Sequence, residues 1–436
     1  MKLRFKIILV QLIVIAPYTF PAAAQQQVDS LSLDQIMAQV MQSHPSVKEA
    51  EEALNGATAK IDLAKSAYLP TVDLSASYTR LGPVSKVNFP GLGTFQFNPY
   101  DNYSAGVNVN QTVYDFGKTS KNVQLESEKR KLNEITVNQV KQILSMLVIN
   151  NYYTLVYLQS AMDIKNEELR NLQNHLTSIE KKESTGSATK YELLTTQVKI
   201  STVESQKYDL EAASQVQLAV LNTLLGFPDD TPHRVVEAFS IEKALTGDTS
   251  VKYALEHREE IKLAKEKTKL EDLNSSLIKS TNNPVVNAFG SVGFKNGYSP
   301  DLNKLEGNFA VGLGVKIPIF DAKKMKSNLR ISKSNLLTSQ FETEIASRKI
   351  VNELVEAKSG IQSSHKKVAQ FEMQLTRALQ AYELAQVSFK NGAVTNLDLL
   401  DSETAVSESR LQLLKSRLDY LVSIYKLKIA LGNPIY

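Results

Sequence analysis

The chain repeats itself at a spacing of 206 residues, and this limits its folds more than any other feature. Asp115 in Val113-Tyr114-Asp115-Phe116 returns as Asp321 in Ile319-Phe320-Asp321. Gly106 returns as Gly312, Gly186 as Gly392, and Leu225-Gly226 as Leu431-Gly432. Upstream the offset is 214, since Val47 and Pro70 match Ile261 and Pro284. A first connecting loop (Leu81–Asn102) eight residues longer than the second (Lys295–Asn308) accounts for the slip. Each copy reads as two short alternating strands followed by a helical stretch too long for a compact globule. That pattern predicts a mostly α protein with membrane β-strands, built as a duplicated helix–β-hairpin–long helix–helix unit.

The strands alternate with period two, as expected of a sheet with one wet face. Val72, Leu74, Ala76 and Tyr78 alternate with polar residues, as do Tyr103, Ala105, Val107, Val109 and Val113. In the second copy Phe309, Val311, Leu313, Val315 and Ile317 face one way, and Ala310, Gly312, Gly314 and Lys316 the other. Each run approaches the roughly 9–11 residues of a membrane-crossing strand. Tyrosine and phenylalanine gather at the strand ends (Tyr68, Tyr103, Tyr114, Phe116, Phe309, Phe320), where interfacial girdles sit. Four strands cannot close a barrel, and lipid does not tolerate an open edge. The pattern therefore asks for an oligomer. Three chains, giving twelve strands, make the smallest one with room for a pore.

Lys2, Arg4 and Lys6 ahead of the apolar run Ile7–Ile15, with Ala22-Ala23-Ala24 behind it, read as a signal peptide over 1–24. Of 50 basic residues these three would be removed, leaving 47 against 46 acidic ones, a balance that calls for no nucleic-acid partner. The chain has no cysteine, which excludes disulfides and thiolate metal sites. The five histidines (44, 175, 233, 257, 365) have no metal-ligand spacing, and no phosphate loop or nucleophile elbow is present. We expect neither an enzyme nor a cofactor.

After the leader, 25–230 forms the first unit, with strands at about 71–80 and 103–114 and long helices at about 118–185 and 187–225. The second unit, 231–436, has strands at about 285–295 and 308–318 and helices at about 322–391 and 393–431. Leu155, Leu158, Met162, Lys165, Leu169, Leu172, Leu176 and Ile179 step by three and four, the phase of a coiled coil. The same phase returns as Ile361, Ser364, Val368, Phe371, Leu375, Ala378, Tyr382 and Ala385. Lys165 on this seam would either set register or, as we expect, carry its ammonium out to solvent. A short helix before the strands (46–69 or 259–282) and a returning helix together match one long helix. Leu31–His44 and Phe227–Ser250 break the pattern at prolines and read as a belt around the tube.

This layout resembles the TolC-like outer-membrane efflux protein family across essentially the whole mature chain. The residues that carry it are Asp115-Phe116-Gly117-Lys118 and Ile317-Pro318-Ile319-Phe320-Asp321, with the Gly186–Leu194 and Gly392–Asp401 segments between paired helices. Leu224-Leu225-Gly226 and Ala430-Leu431-Gly432-Asn433-Pro434 close the halves. The resemblance implies a homotrimer: a twelve-stranded barrel held in outer-membrane lipid and continued by a twelve-helix periplasmic tunnel. It also implies an exit duct working with a periplasmic adaptor and an inner-membrane transporter, proton-driven or of ABC type, in efflux or type I secretion. The turns at Gly186 and Gly392, with Thr189 and Thr395, would be the adaptor-contact tip, and Asp398, Asp401 and Glu192 would ring the periplasmic constriction. Val394 stands where the family often has an arginine.

The same residues have plainer readings. Thr189–Glu192 and Thr395–Asp398 have capping-box spacing, so Glu192 and Asp398 are accounted for by a helix start alone. Asp401, one turn further in, is not. Asp115 and Asp321 are expected to cap the helices that follow the strands. The competing function is a non-conducting periplasmic coiled-coil adaptor or scaffold, against which the duplicated alternating strands argue.

Overall fold

A computed structural model describes residues 30–91, 93–236 and 248–436. The leader expected at 1–24, and residues 237–247 of the expected belt, lie outside them. In chain order the elements begin with β1 (Ser30–Leu31), α1 (Leu33–Ser43), α2 (Pro45–Ser66), β2 (Thr71–Arg80), β3 (Lys86–Phe89), β4 (Gly93–Gln96), β5 (Asp101–Tyr114), α3 (Lys118–Ser184) and α4 (Lys190–Leu225). They continue with β6 (Arg234–Val235), α5 (Val251–His257), α6 (Glu259–Ser280), β7 (Val285–Lys295), β8 (Glu306–Lys316), α7 (Lys324–Lys390) and α8 (Asn396–Ala430).

α3 and α7 are each 67 residues long. At 1.5 Å per residue each spans about 100 Å. Along α3, α2 covers the half nearest the sheet and α4 the far half. Thr58 Oγ1 accepts from Arg130 Nε at 3.2 Å, and Asn151 Nδ2 donates to Gln217 Oε1 at 2.8 Å. α6 and α8 share α7 in the same way. The helical layer therefore runs α2–α3–α6–α7 near the sheet and α4–α3–α8–α7 beyond it. α7 forms one edge of this layer throughout, and α2 with α4 forms the other. No helix among the described residues is long and apolar enough to cross a membrane.

The four long strands form one antiparallel sheet in the order β2-β5-β7-β8, so each hairpin pairs internally and β5 joins the two. Register places Leu74, Val107, Val292 and Phe309 in one row across the sheet, with Ser75, Gly106, Gly293 and Asn308 in the next. One face is thus apolar and the other small and polar, as the alternation predicts, except for Phe289, whose ring lies over Gly312 on the second face. At the β5–β7 pair, a Cβ on Gly293 would lie 2.3 Å from the Ala105 carbonyl, so only glycine fits there. The strand expected over 308–318 spans Glu306–Lys316 instead: Pro318 has no N–H for a ladder. Within the long first loop, β3 and β4 pair as an extra hairpin, with Phe89 and Phe95 packed edge to face.

Both strand-to-helix joints are built alike. Asp115 accepts from the backbone N–H of Gly117 at 3.1 Å and of Thr119 at 2.7 Å. Asp321 accepts from Lys323 at 3.0 Å and Met325 at 2.9 Å. These carboxylates occupy N–H groups that the first turn leaves without helical partners, as the capping expectation requires.

The main apolar core lies halfway along α3. Ile36 and Val40 of α1, Val148, Ile149, Tyr152 and Leu155 of α3, Leu221 and Leu225 of α4, and Leu418 and Leu421 of α8 pack there. β1 pairs in parallel with β6 beside it, and the Tyr152 hydroxyl donates to the Val236 carbonyl. The Ser32–Gln35 capping box starts α1. Lys165 departs from expectation. Its ammonium lies inside the helical layer, 2.8 Å from Glu168 Oε2 and 3.3 Å from Ser407 Oγ, because α8 closes over that stretch of α3.

Candidate functional site at the helical tip

The end of the helical layer furthest from the sheet is made by two tight turns. α3 stops at Ser184, and Gly186 adopts φ +75°; α7 stops at Lys390, and Gly392 adopts φ +73°. The amide of Ser187 bonds back to the Lys182 carbonyl at 2.8 Å and that of Gly186 to Glu183 at 2.9 Å. Ala393 and Gly392 do the same to Ser388 and Phe389, at 2.9 and 3.1 Å. This is the Schellman geometry, in which a left-handed residue after the helix satisfies its last carbonyls. Nothing lies within 4 Å of a Cβ placed on either glycine, so backbone conformation alone selects glycine there.

Each turn passes directly into a capping box. Thr189 Oγ1 accepts from the Glu192 amide at 3.2 Å while Glu192 Oε2 accepts from the Thr189 amide at 2.7 Å. Thr395 and Asp398 reciprocate at 3.2 and 2.8 Å. These bonds delay both helices relative to the expected 187 and 393, since the residues before 190 and 396 belong to turn and cap. The Thr395 hydroxyl and amide hold the Asp398 carboxyl below its usual range.

Asp401 differs from both. It is exposed and makes no hydrogen bond or ion pair among the described residues. It belongs to an exposed stripe on α8 (Asp398, Asp401, Ala405, Glu408, Gln412, Lys415 and Asp419) that steps by three and four. The opposite side of α8 is buried along Leu399, Glu403, Val406, Leu413 and Tyr420. Ser409 and Ser416 are fully inside, and Gln374 of α7 reaches Ser409 Oγ at 3.2 Å.

At the tip itself, the helical hairpin α3–α4 is tied to the helical hairpin α7–α8 by Asn396, which the sequence reading did not single out. It is 2% exposed. Its Oδ1 lies 2.6 Å from His175 Nε2, and its Nδ2 donates to the Glu192 carbonyl at 3.3 Å and to Thr196 Oγ1 at 3.1 Å. One side chain thus ties α8 to α3 and α4 and brings the Glu192 and Asp398 caps together. His175 also packs against Phe389, over which the Lys182 ammonium sits at 4.5 Å. The available signal was an asymmetry: position 396 corresponds to Lys190 in the first copy, so a charged residue became a neutral one that can be buried.

Asn396→Ala removes the partner of His175 Nε2 and one bond each from the Thr196 hydroxyl and the Glu192 carbonyl, which keep their bond to each other, and the lost bonds cost about 1–3 kcal/mol per chain. The expected result is a looser tip with an assembled protein. Chymotrypsin cleavage at Tyr191 and Phe389 should quicken in the variant, and an unchanged digestion rate would remove Asn396 as the tie.

The sequence model of the outer membrane efflux protein family matches residues 36–227 and again 252–433. The chain is 19% identical over 411 residues to outer membrane protein TolC of Salmonella enteritidis, spanning 92% of this chain and 82% of that one. With cation efflux system protein CusC of Escherichia coli (strain K12) it shares 24% identity over 370 residues, 80% of this chain and 78% of CusC. Among solved structures, outer membrane protein VceC from Vibrio cholerae superposes with a TM-score of 0.76 at 19% identity, covering 93% of this chain and 97% of VceC.

Proposed function

Because the chain belongs to the outer membrane efflux protein family, we propose that it is the exit duct of a tripartite efflux pump or type I secretion system. The protein sits in the outer membrane and extends into the periplasm. In this reading it passively conducts cargo delivered by an inner-membrane transporter through a periplasmic adaptor. It hydrolyses nothing.

The observation that carries the reading is that the protomer is unfinished along two matching edges. β2 and β8 are open strand edges, and the apolar sheet face is exposed from Val72 and Leu74 to Val311 and Leu313. β2 follows α2, and β8 leads into α7, so the open sheet edges stand above the open edges of the helical layer. α7 exposes Phe341, Ile345 and Leu384, while α4 exposes Tyr191, Val198 and Tyr208. Unlike edges that meet head to tail generate a ring. Three copies give a twelve-stranded barrel with no free edge, continued by a helical tunnel, and the homotrimer is the form we propose. A periplasmic scaffold would leave the apolar sheet face in water.

In that trimer the tip turns at Gly186 and Gly392, with Thr189 and Thr395, meet the adaptor, and Asp398, Asp401 and Glu192 surround the periplasmic constriction. Within the set, Asp401 has the carboxylate free for cargo ions, whereas Asp398 and Glu192 are committed to their caps. A charge a few ångströms from a permeating ion is worth about 1 kcal/mol in water, roughly fivefold in occupancy. Asp401→Ala should therefore lower the cation-over-anion permeability ratio by about that factor. Reversal potentials under a KCl gradient test this, and an unshifted potential removes Asp401 from the constriction.

A further inference from the structure

The seam between the two hairpins, α3 against α8, is polar near the tip. Lys165, Glu168 and Ser407 form one hydrogen-bonded group, and Arg410 Nη1 reaches Glu167 Oε2 at 2.7 Å. Between this group and the Asn396 tie lies Glu403, 6% exposed, whose Oε1 has no hydrogen-bond partner. It lines a cavity of about 80 Å³ with Asn171 and Glu168 of α3, Leu379 and Tyr382 of α7, and Ser407 of α8. A buried carboxylate with an unsatisfied oxygen is costly, and neutralising it removes most of that cost.

We propose that Glu403 is a proton-operated latch: with its proton bound, α8 stays packed on α3 and α7, and losing the proton drives the two hairpins apart. The charged and titratable groups around it are Lys165, Glu167 and Glu168 on α3, Lys199 on α4, Tyr382 on α7 and Arg410 on α8. Desolvation is the strongest influence and the Glu168 charge the next. Against Asn171, Lys199 and Tyr382 they raise Glu403 from 4.5 to about 7. The packed state therefore binds the proton more tightly than the parted state. Its advantage is complete below about pH 4.5 and declines as pH rises through about 7. If the tip is the gate proposed above, an acidic periplasm holds it shut and a neutral-to-alkaline one loosens it.

The test is hydrogen exchange of the detergent-solubilised full protein at pH 6 and pH 8, with exchange times scaled for the intrinsic base-catalysed rate. Peptides covering 164–175 and 396–410 report the seam, and a peptide covering 144–156 serves as the reference. Between those pH values a carboxyl shifted from 4.5 to about 7 changes the seam-opening equilibrium about tenfold. The wild type should show that increase, and Glu403→Gln should not. If the amide variant fails to assemble, Glu403→Met, uncharged and of similar volume, is read the same way. A wild-type seam indifferent to pH, or an uncharged variant that keeps the tenfold change, overturns the latch. Conductance recorded over the same range separates the two proposals: a seam that parts while current stays constant keeps the latch and discards the tip as gate.

Discussion

Val311→Arg is expected to keep the protein out of the outer membrane. Val311 lies at the middle of β8 on the apolar face of the sheet, and it is 81% exposed, as is Phe309 beside it. An arginine on the lipid face at the bilayer midplane costs about 2–4 kcal/mol, and a trimer would carry three. Asn308→Lys, on the opposite face of the same strand, should insert normally. Sucrose-gradient fractionation followed by a heat-modifiability assay distinguishes them. A Val311→Arg protein recovered as assembled trimer in outer membranes would mean that this face does not meet lipid.

Lys165→Met is expected to destabilise the helical layer strongly. The Lys165 and Glu168 side chains are 7% and 3% exposed, so removing the lysine strands a carboxylate inside the seam. Breaking a buried pair from one side costs about 3–5 kcal/mol, whereas replacing both partners with apolar residues is neutral or stabilising. Thermal unfolding in detergent should therefore show a large loss for Lys165→Met and recovery for Lys165→Met with Glu168→Leu. A single variant as stable as its parent would show that the pair contributes nothing to the seam.

The helices were the most legible part of the sequence, because a three-four spacing survives in both copies. Leu155, Leu172 and Ile179 are buried as the phase predicts. Their second-copy counterparts, Ile361, Ala378 and Ala385, carry the same phase but are only half covered. The difference is positional: α3 is flanked on both sides within the protomer, and α7 on one. The sequence could not distinguish an inner helix from an edge helix, since both would bury one stripe in the proposed trimer.

At the tip, short-range chemistry was readable and long-range chemistry was not. Both capping boxes followed from a Thr and an acidic residue three apart, and both form. The Asn396–His175 contact spans 221 positions and has no local signal. Glu403 was visible in principle, since it stands on the buried stripe between Leu399 and Val406, where a carboxylate must be neutralised or paired. Lys165 stands on the same kind of seam, and its own helix predicts an ammonium carried out to solvent. The ammonium is buried instead because α8, invisible in the spacing of α3, closes over it. The β3–β4 hairpin has only a weak local signal: Val87, Phe89 and Phe95 alternate with polar neighbours, but glycine and proline interrupt the runs.

In the proposed trimer, three copies of the chain enclose a conducting duct with an acidic constriction. Single-channel recording of the detergent-purified mature protein in a planar bilayer tests it most directly. The expected result is small, cation-selective currents that multivalent cations block from one side only. Repeated failure to observe channels from protein shown to be folded and trimeric would contradict it.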